Sequence, residues 1–169
     1  SALLLSQAGQ RLLPNIVLEG APGQGKSTIT QFICQVHRMR LLGLDDVSRM
    51  PQHIKLCPVR VPIRIDLRDL AAWLEKVNSF NASDSAEVPA TWHRSLESFL
   101  AAHISYYSGG IEFTVADLLP VISLSAVLLV FDGLDEVAQT SRRQQVVDEI
   151  ADGVRRLTSN ASSLQVIVT

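Results

Sequence analysis

A chain of 169 residues with 47% hydrophobic and 19% charged side chains can bury a sizeable core in one domain, and it is too apolar for a disordered protein. A formal net charge of -2 and an isoelectric point near 6.0 give no basic surface of the kind that binds nucleic acid directly. Two cysteines, Cys34 and Cys57, and four histidines show no metal-ligand spacing; this argues against a structural zinc and leaves both cysteines as reduced, buried side chains.

Residues 1–13 read as a lead-in to a domain spanning 14–169. The apolar start Ser1 to Ser6 lacks a basic flank, and the longest apolar stretch, Leu118 to Phe131, is broken by Pro120 and falls short of a membrane span. No membrane segment is therefore predicted, and the expected location is cytoplasmic. The chain opens without Met and stops at Thr169 in mid-strand, which reads as a piece excised from a longer protein.

Pro14 biases the residue before it away from helix, and Ile16-Val17-Leu18 then forms a first strand. It runs into Gly20-Ala21-Pro22-Gly23-Gln24-Gly25-Lys26-Ser27, which fits G-x-x-x-x-G-K-[ST] at every fixed position. A phosphate chain needs converging donors with no side chains in the way. Glycines at 20, 23 and 25 permit that backbone path, and the helix that follows aims its positive end at the same anion. In this pattern Lys26 reaches the β- and γ-phosphates and the Ser27 hydroxyl holds Mg²⁺; Thr28 completes the set expected to touch nucleotide, Gly20 to Thr28.

Ile29, Phe32, Ile33, Val36 and Met39 recur at helical steps and predict one buried stripe. His37, Arg38 and Arg40 fall in the last turns, where cations suit the helix end, and Gly43 can cap it. Asp45 to Pro58 reads as connection. Val59, Val61, Ile63, Ile65 and Leu67 then alternate with Arg60, Pro62, Arg64 and Asp66, a strand with one wet face, and Pro62 places it at a sheet edge. Asp66 or Asp69 can cap a short helix through Leu70, Trp73 and Leu74.

After a polar loop from Ser79 to Val88, a stripe of Trp92, Leu96, Phe99, Leu100, His103 and Ile104 predicts a helix with His103 as a satisfied core histidine. Thr114 to Leu119 predicts a brief helix stopped at Pro120. Ala126 to Phe131 carries no polar alternation and reads as a strand covered on both faces. Ser141-x-x-Gln144 predicts a capping box ahead of a stripe of Val146, Val147, Ile150, Val154 and Leu157, with Arg142 and Arg143 as solvated side chains. Leu164 to Thr169 is a last strand. The alternation of strands and helices predicts a parallel α/β sheet.

The covered strand ends in Asp132-Gly133-Leu134-Asp135-Glu136. Ligands in such sheets gather at the carboxyl ends of the strands, so these acids should arrive beside the phosphate loop. Asp132 is the expected Mg²⁺-linked carboxylate. Asp135 and Glu136 are the candidates to orient or deprotonate an attacking water. Three acids so close repel one another unless a cation or water screens them.

The pair GAPGQGKS and LLVFDGLDE resembles the NACHT group of STAND signalling NTPases, which includes NOD-like receptors and bacterial antiphage relatives. Members place a small residue after the Mg²⁺-linked Asp, as Gly133 stands here, and two acids further on, as Asp135 and Glu136 stand. The stretch Arg60 to Leu70 is similar to the second strand of bacterial members, and Gln165 to Thr169 to the strand that opens their sensor segment. The resemblance implies a parallel-sheet P-loop NTPase with an ASCE or AAA+-like core, the sensor strand between the phosphate-loop strand and the Asp132 strand. It also implies ATP and Mg²⁺ as cofactors, slow hydrolysis and nucleotide-controlled self-association in a signalling or defence protein, with ATP or ADP as the bound partner. The family's basic residue after the sensor Thr, fifth strand and closing domains do not follow here, so the fifth strand's place beside the first is expected to be empty and turnover in this stretch alone weak or absent. Two further functions fit the phosphate loop alone: a nucleoside or small-molecule kinase, since GAPGQGKS also resembles the loop of adenylate kinases, and a non-enzymatic nucleotide-binding scaffold.

Overall fold

A computed structural model describes residues 2–6, 13–21, 23–44, 50–80 and 92–169. In chain order the elements are α1 (Ala2–Leu5), β1 (Asn15–Val17), α2 (Lys26–Leu41), α3 (Gln52–Lys55), β2 (Val61–Asp66), α4 (Leu67–Leu74), α5 (Leu96–Tyr107), α6 (Val115–Leu124), β3 (Ala126–Asp132), a 3₁₀ turn (Leu134–Glu136), α7 (Thr140–Thr158) and β4 (Ser163–Val168). The four strands are parallel and ordered β1-β4-β3-β2. The last strand is thus inserted between the first and the third, and β2 lies at an edge, as Pro62 and its alternating pattern predict.

Because successive side chains of a strand point to opposite faces, the apolar run of β3 feeds two cores at once. Val127, Leu129 and Phe131 join Ile63, Ile65 and Val166 beneath α4, α5, α6 and α7. Leu128 and Val130 join Ile167, Ile33, Cys34 and Val36 on the other face. The result is three layers, with β3 covered on both sides. Leu5 is fully buried in the second core, so the start of the chain belongs to the fold rather than merely leading into it. The expected connection after Gly43 contains α3, whose Ile54 packs in the same cluster; its residues 45–49, like 81–88 of the loop predicted from Ser79 to Val88, lie outside the described residues.

The buried face of α2 differs from the predicted stripe. Ile33 and Val36 are buried, but so are Thr30, Cys34 and His37, whereas Ile29 and Phe32 are 39% and 41% exposed. The helix is rotated because its first turn is anchored: Ser27 must face Asp132, and the residues three, seven and ten positions on then face the sheet. Its C-terminus closes as a Schellman turn, with Leu44 N–H on the Met39 carbonyl and Gly43 at φ 63°. His37 is not a helix-end cation. It is buried, its Nδ1 accepts the Arg60 N–H at 3.3 Å, and burial, with the charges of Arg60 and Arg40, lowers its pKa to about 4.

Arg60, expected on the wet face of β2, is buried, and its guanidinium donates to the carbonyls of Val127 and Ser163 at the start of β3 and β4. Pro120 does not end its helix. A capping box between Thr114 and Asp117 starts α6, and the helix continues to Leu124 with Leu118 and Ile122 buried, which offsets the one backbone bond that proline removes. The capping box expected at Ser141 does not form: α7 begins at Thr140, and Gln144 bonds to Asp148 instead. Val147 is 39% exposed, outside the buried stripe of Val146, Ile150 and Leu157. Asp66 caps α4, accepting the Arg68 N–H. His103 packs against Phe99 and Tyr107, yet its Nδ1 is buried without a partner, so it is held neutral by burial, with its pKa lowered to about 4. Both cysteines are free and buried, and no described helix is long and apolar enough to cross a membrane.

Two predictions follow from this packing. Gly153 of α7 is a contact point with α5, since a Cβ there would stand 2.6 Å from Leu96 Cβ. Gly153→Ala should therefore lower stability by about 1–2 kcal/mol in urea unfolding, against the gain alanine brings to an open helix site. His37 and His103 bind protons in the unfolded chain near pH 6.5 but in the fold only near 4. The unfolded state is thus the better proton acceptor between those values, and stability should fall as pH drops from 6.5 towards 4, by up to about 1.4 kcal/mol per pH unit for each histidine. Urea midpoints measured across that range should fall less steeply in His37→Gln.

Candidate functional site

The loop after β1 and the turn after β3 face each other across a cleft of about 470 Å³. Gly23, Gly25, Lys26, Ser27 and Thr28 line one wall, and Gly133, Asp135, Glu136 and Thr169 the other. Gly23 and Gly25 hold φ of 80° and 77°, with open space where a Cβ would stand. Their requirement for glycine is thus one of backbone conformation rather than room. Gln24 folds back over the loop: its Oε1 accepts the Ala21 N–H at 3.1 Å and would lie 2.8 Å from a Cβ on Gly20. That side chain braces the loop instead of pointing into the cleft. Pro22 lies outside the described residues.

Lys26 Nζ donates to the Gly20 carbonyl at 2.8 Å and stands 3.6 Å from Asp135 Oδ2. Ser27 Oγ donates to Asp132 Oδ1 at 2.9 Å. The same carboxylate oxygen accepts Thr169 Oγ1 at 2.6 Å, and Arg64 binds Oδ2 through Nε at 3.1 Å and through Nη2. Burial would raise the Asp132 pKa, but the bonds from Thr169, Arg64 and Ser27 and the Arg64 charge outweigh it and hold the carboxyl below its usual value. Thr169 also stitches the turn. Its hydroxyl accepts the Gly133 N–H at 3.1 Å, its carbonyl accepts the Leu134 N–H, and its own N–H donates to Phe131. Gly133 turns at φ 84°.

The three acids do not depend on a bound ion for screening. Each faces a cation of the chain: Asp132 faces Arg64, Asp135 faces Lys26, and Glu136 faces Arg68 at 3.2 Å. Arg68 also grips Asp66 with two bonds of 3.0 and 2.6 Å. Arg142 is exposed, as expected, but also paired, and Arg143 is partly buried and engaged. Arg142 pairs with Glu75, and Arg143 donates to the Val137 and Asp135 carbonyls, bracing the acidic turn from behind.

Of the predicted set, Gly23, Gly25, Lys26, Ser27 and Thr28 thus line one cleft with Asp135 and Glu136, Ser27 bonds to Asp132, and Gly20 meets Lys26 through its carbonyl, whereas Gln24 turns back over the loop. Sequence reasoning missed Arg64, Arg68 and the brace at Arg143. Arg64 stands at an outward position of an alternating strand, and only the pairing of β2 with β3, which sets Asp66 opposite Asp132, brings it to that carboxylate. Mg²⁺ keeps most of its water shell and takes one or two protein oxygens; a serine hydroxyl and a carboxylate 2.9 Å apart fit that donor set. No group of three or more His, Cys, Asp or Glu that could hold a metal occurs among the described residues, so the remaining ligands would be water and phosphate oxygens.

Compared with protein-family models, with curated proteins and with solved structures, the chain matches none. The site therefore stands on its own geometry. Removing the Arg64 charge leaves Asp132 buried with only two hydroxyl donors, so Arg64→Gln should destabilise the fold by about 1–3 kcal/mol at pH 7. Asp132 has a depressed pKa, so this contribution is present above the usual carboxylate range and lost as pH falls through it. The gap between the two proteins in urea unfolding should accordingly narrow at low pH.

Proposed function

We propose that this chain is the nucleotide-binding core of a Mg²⁺-dependent ATPase switch of the NACHT type among STAND signalling NTPases, with ATP or ADP as its ligand. The observation that carries the reading is the 2.9 Å bond between Ser27 and Asp132, which joins the phosphate loop to the acidic strand end across 105 residues of sequence. The insertion of β4 between β1 and β3 supports an ASCE or AAA+-like P-loop core, because it sets Thr169 between the loop and the acids.

Phosphoanhydride hydrolysis asks a protein chiefly for positioning and charge neutralisation. The amides of the loop and Lys26 would bind the phosphate chain. Ser27 and Asp132 would hold Mg²⁺, which when bound neutralises charge on the phosphate oxygens. To reach a phosphate, Lys26 must leave the Gly20 carbonyl, and this also releases Asp135 from its cation. Asp135 or Glu136 would then orient the water or take its proton. Glu136 rests against Arg68 in an exposed pair, weak enough to release the carboxylate to a water. Ile29 and Phe32 of α2 are exposed apolar side chains three positions apart on one helix, which suits contact with another copy or further domains of a signalling protein.

Calorimetric titration with MgATP and a phosphate-release assay test the assignment. Lys26→Ala should weaken binding at least about tenfold. Glu136→Gln should keep binding while slowing hydrolysis by about 10²-fold or more. MgATP binding by Lys26→Ala equal to the parent's would remove the assignment, and an oligomeric mass unchanged between ATP and ADP in light scattering would remove the switch.

A further inference from the structure

A second cleft, of about 650 Å³, opens on the outer side of β2, away from the phosphate loop. Its floor is the edge of that strand, its walls are α2 on one side and α5 and α6 on the other, and Val61, Ile104, Phe113 and Val121 make it mainly apolar. Two guanidinium groups, Arg38 and Arg64, line it, and among the described residues no acid does. Nε and Nη2 of Arg64 are taken by Asp132, so its Nη1 group is the part left for a ligand. Arg38, exposed on α2, makes no ion pair among the described residues. His103 on the wall is neutral at physiological pH and adds no charge.

We infer that this cleft binds a small apolar carboxylate, with its hydrocarbon or aryl body against the α5 and α6 wall and its carboxyl group on Arg38 and Arg64. The volume lies in the range of small-molecule sites, which are mostly apolar with a few placed polar groups that fix orientation. Guanidinium groups match carboxylate geometry; Arg64 is already paired with Asp132, so the charge of Arg38 is what favours an anion over a neutral body of the same shape. Arg64 joins this cleft to Asp132 of the nucleotide site, but the ligand is measured without nucleotide and Arg38 belongs to this cleft alone, so either reading can fail alone.

The test is a ligand-detected NMR titration of the full chain with octanoate and 4-phenylbutyrate, beside the matching neutral alcohols, 1-octanol and 4-phenylbutan-1-ol. The acids should saturate with Kd below ~1 mM and bind at least about tenfold tighter than the alcohols. Arg38→Ala, a change on the exposed face of α2, should weaken the acids about tenfold with an unaltered unfolding midpoint. Gln31→Trp, also exposed on α2 at the cleft, should block them. Equal binding of acid and alcohol, no saturation by ~10 mM, or acid binding unaffected by Arg38→Ala would overturn the proposal. Tighter binding of an acetylated tripeptide ending in Leu than of either acid would overturn the small-molecule assignment in favour of a peptide terminus.

Discussion

Asp132 is a buried carboxylate at the end of the central strand, and three separate parts of the chain donate to it: Ser27 from the first turn of α2, Thr169 from the end of β4 and Arg64 from β2. A buried charge without such donors would be expensive. Satisfied in this way, it sets how its neighbours stand. The Ser27 bond fixes the rotation of α2 and so decides that Thr30, Cys34 and His37 face the sheet while Ile29 and Phe32 face out. The Thr169 bond holds the Gly133 turn against β4. The Arg64 bond ties the edge strand to the site.

The cleft is built on paired charges. Lys26 stands beside Asp135 and Arg68 beside Glu136, so each acid of the turn has a cation of the chain against it. The pairs at Asp135 and Glu136 are half-exposed, and exposed pairs are weak enough to exchange partners. The Asp132 pair is buried on its acidic side and serves structure first.

Much of the site was legible because its chemistry is written in local spacing. A loop with glycines at 20, 23 and 25 followed by Lys26 and Ser27 needs no tertiary information to be recognised, since each residue acts through its immediate backbone. The same holds for β3, whose unbroken apolar run demands cover on both faces and whose terminal Asp132 must emerge at a strand end. Pro62 and the alternation around it placed β2 at an edge for an equally local reason, the missing N–H donor.

What stayed hidden were properties of pairing. Helical periodicity identified α2 but not its rotation, because several apolar residues spread around a helix leave the buried face undecided until one end is anchored. Arg60 and His37 read as polar surface residues, yet they meet in the interior, where strand-start carbonyls and a backbone N–H give them partners. Pro120 read as a stop, yet the burial of Leu118 and Ile122 carries α6 past it. The sequence by itself determined the alternation of strands and helices and a glycine-rich strand-to-helix loop with an acidic strand end elsewhere, since those rest on patterns within a few residues. Only the tertiary structure decided which cation stands on which acid, because Arg64 and Asp132 become neighbours through strand register, and register arises when the sheet assembles.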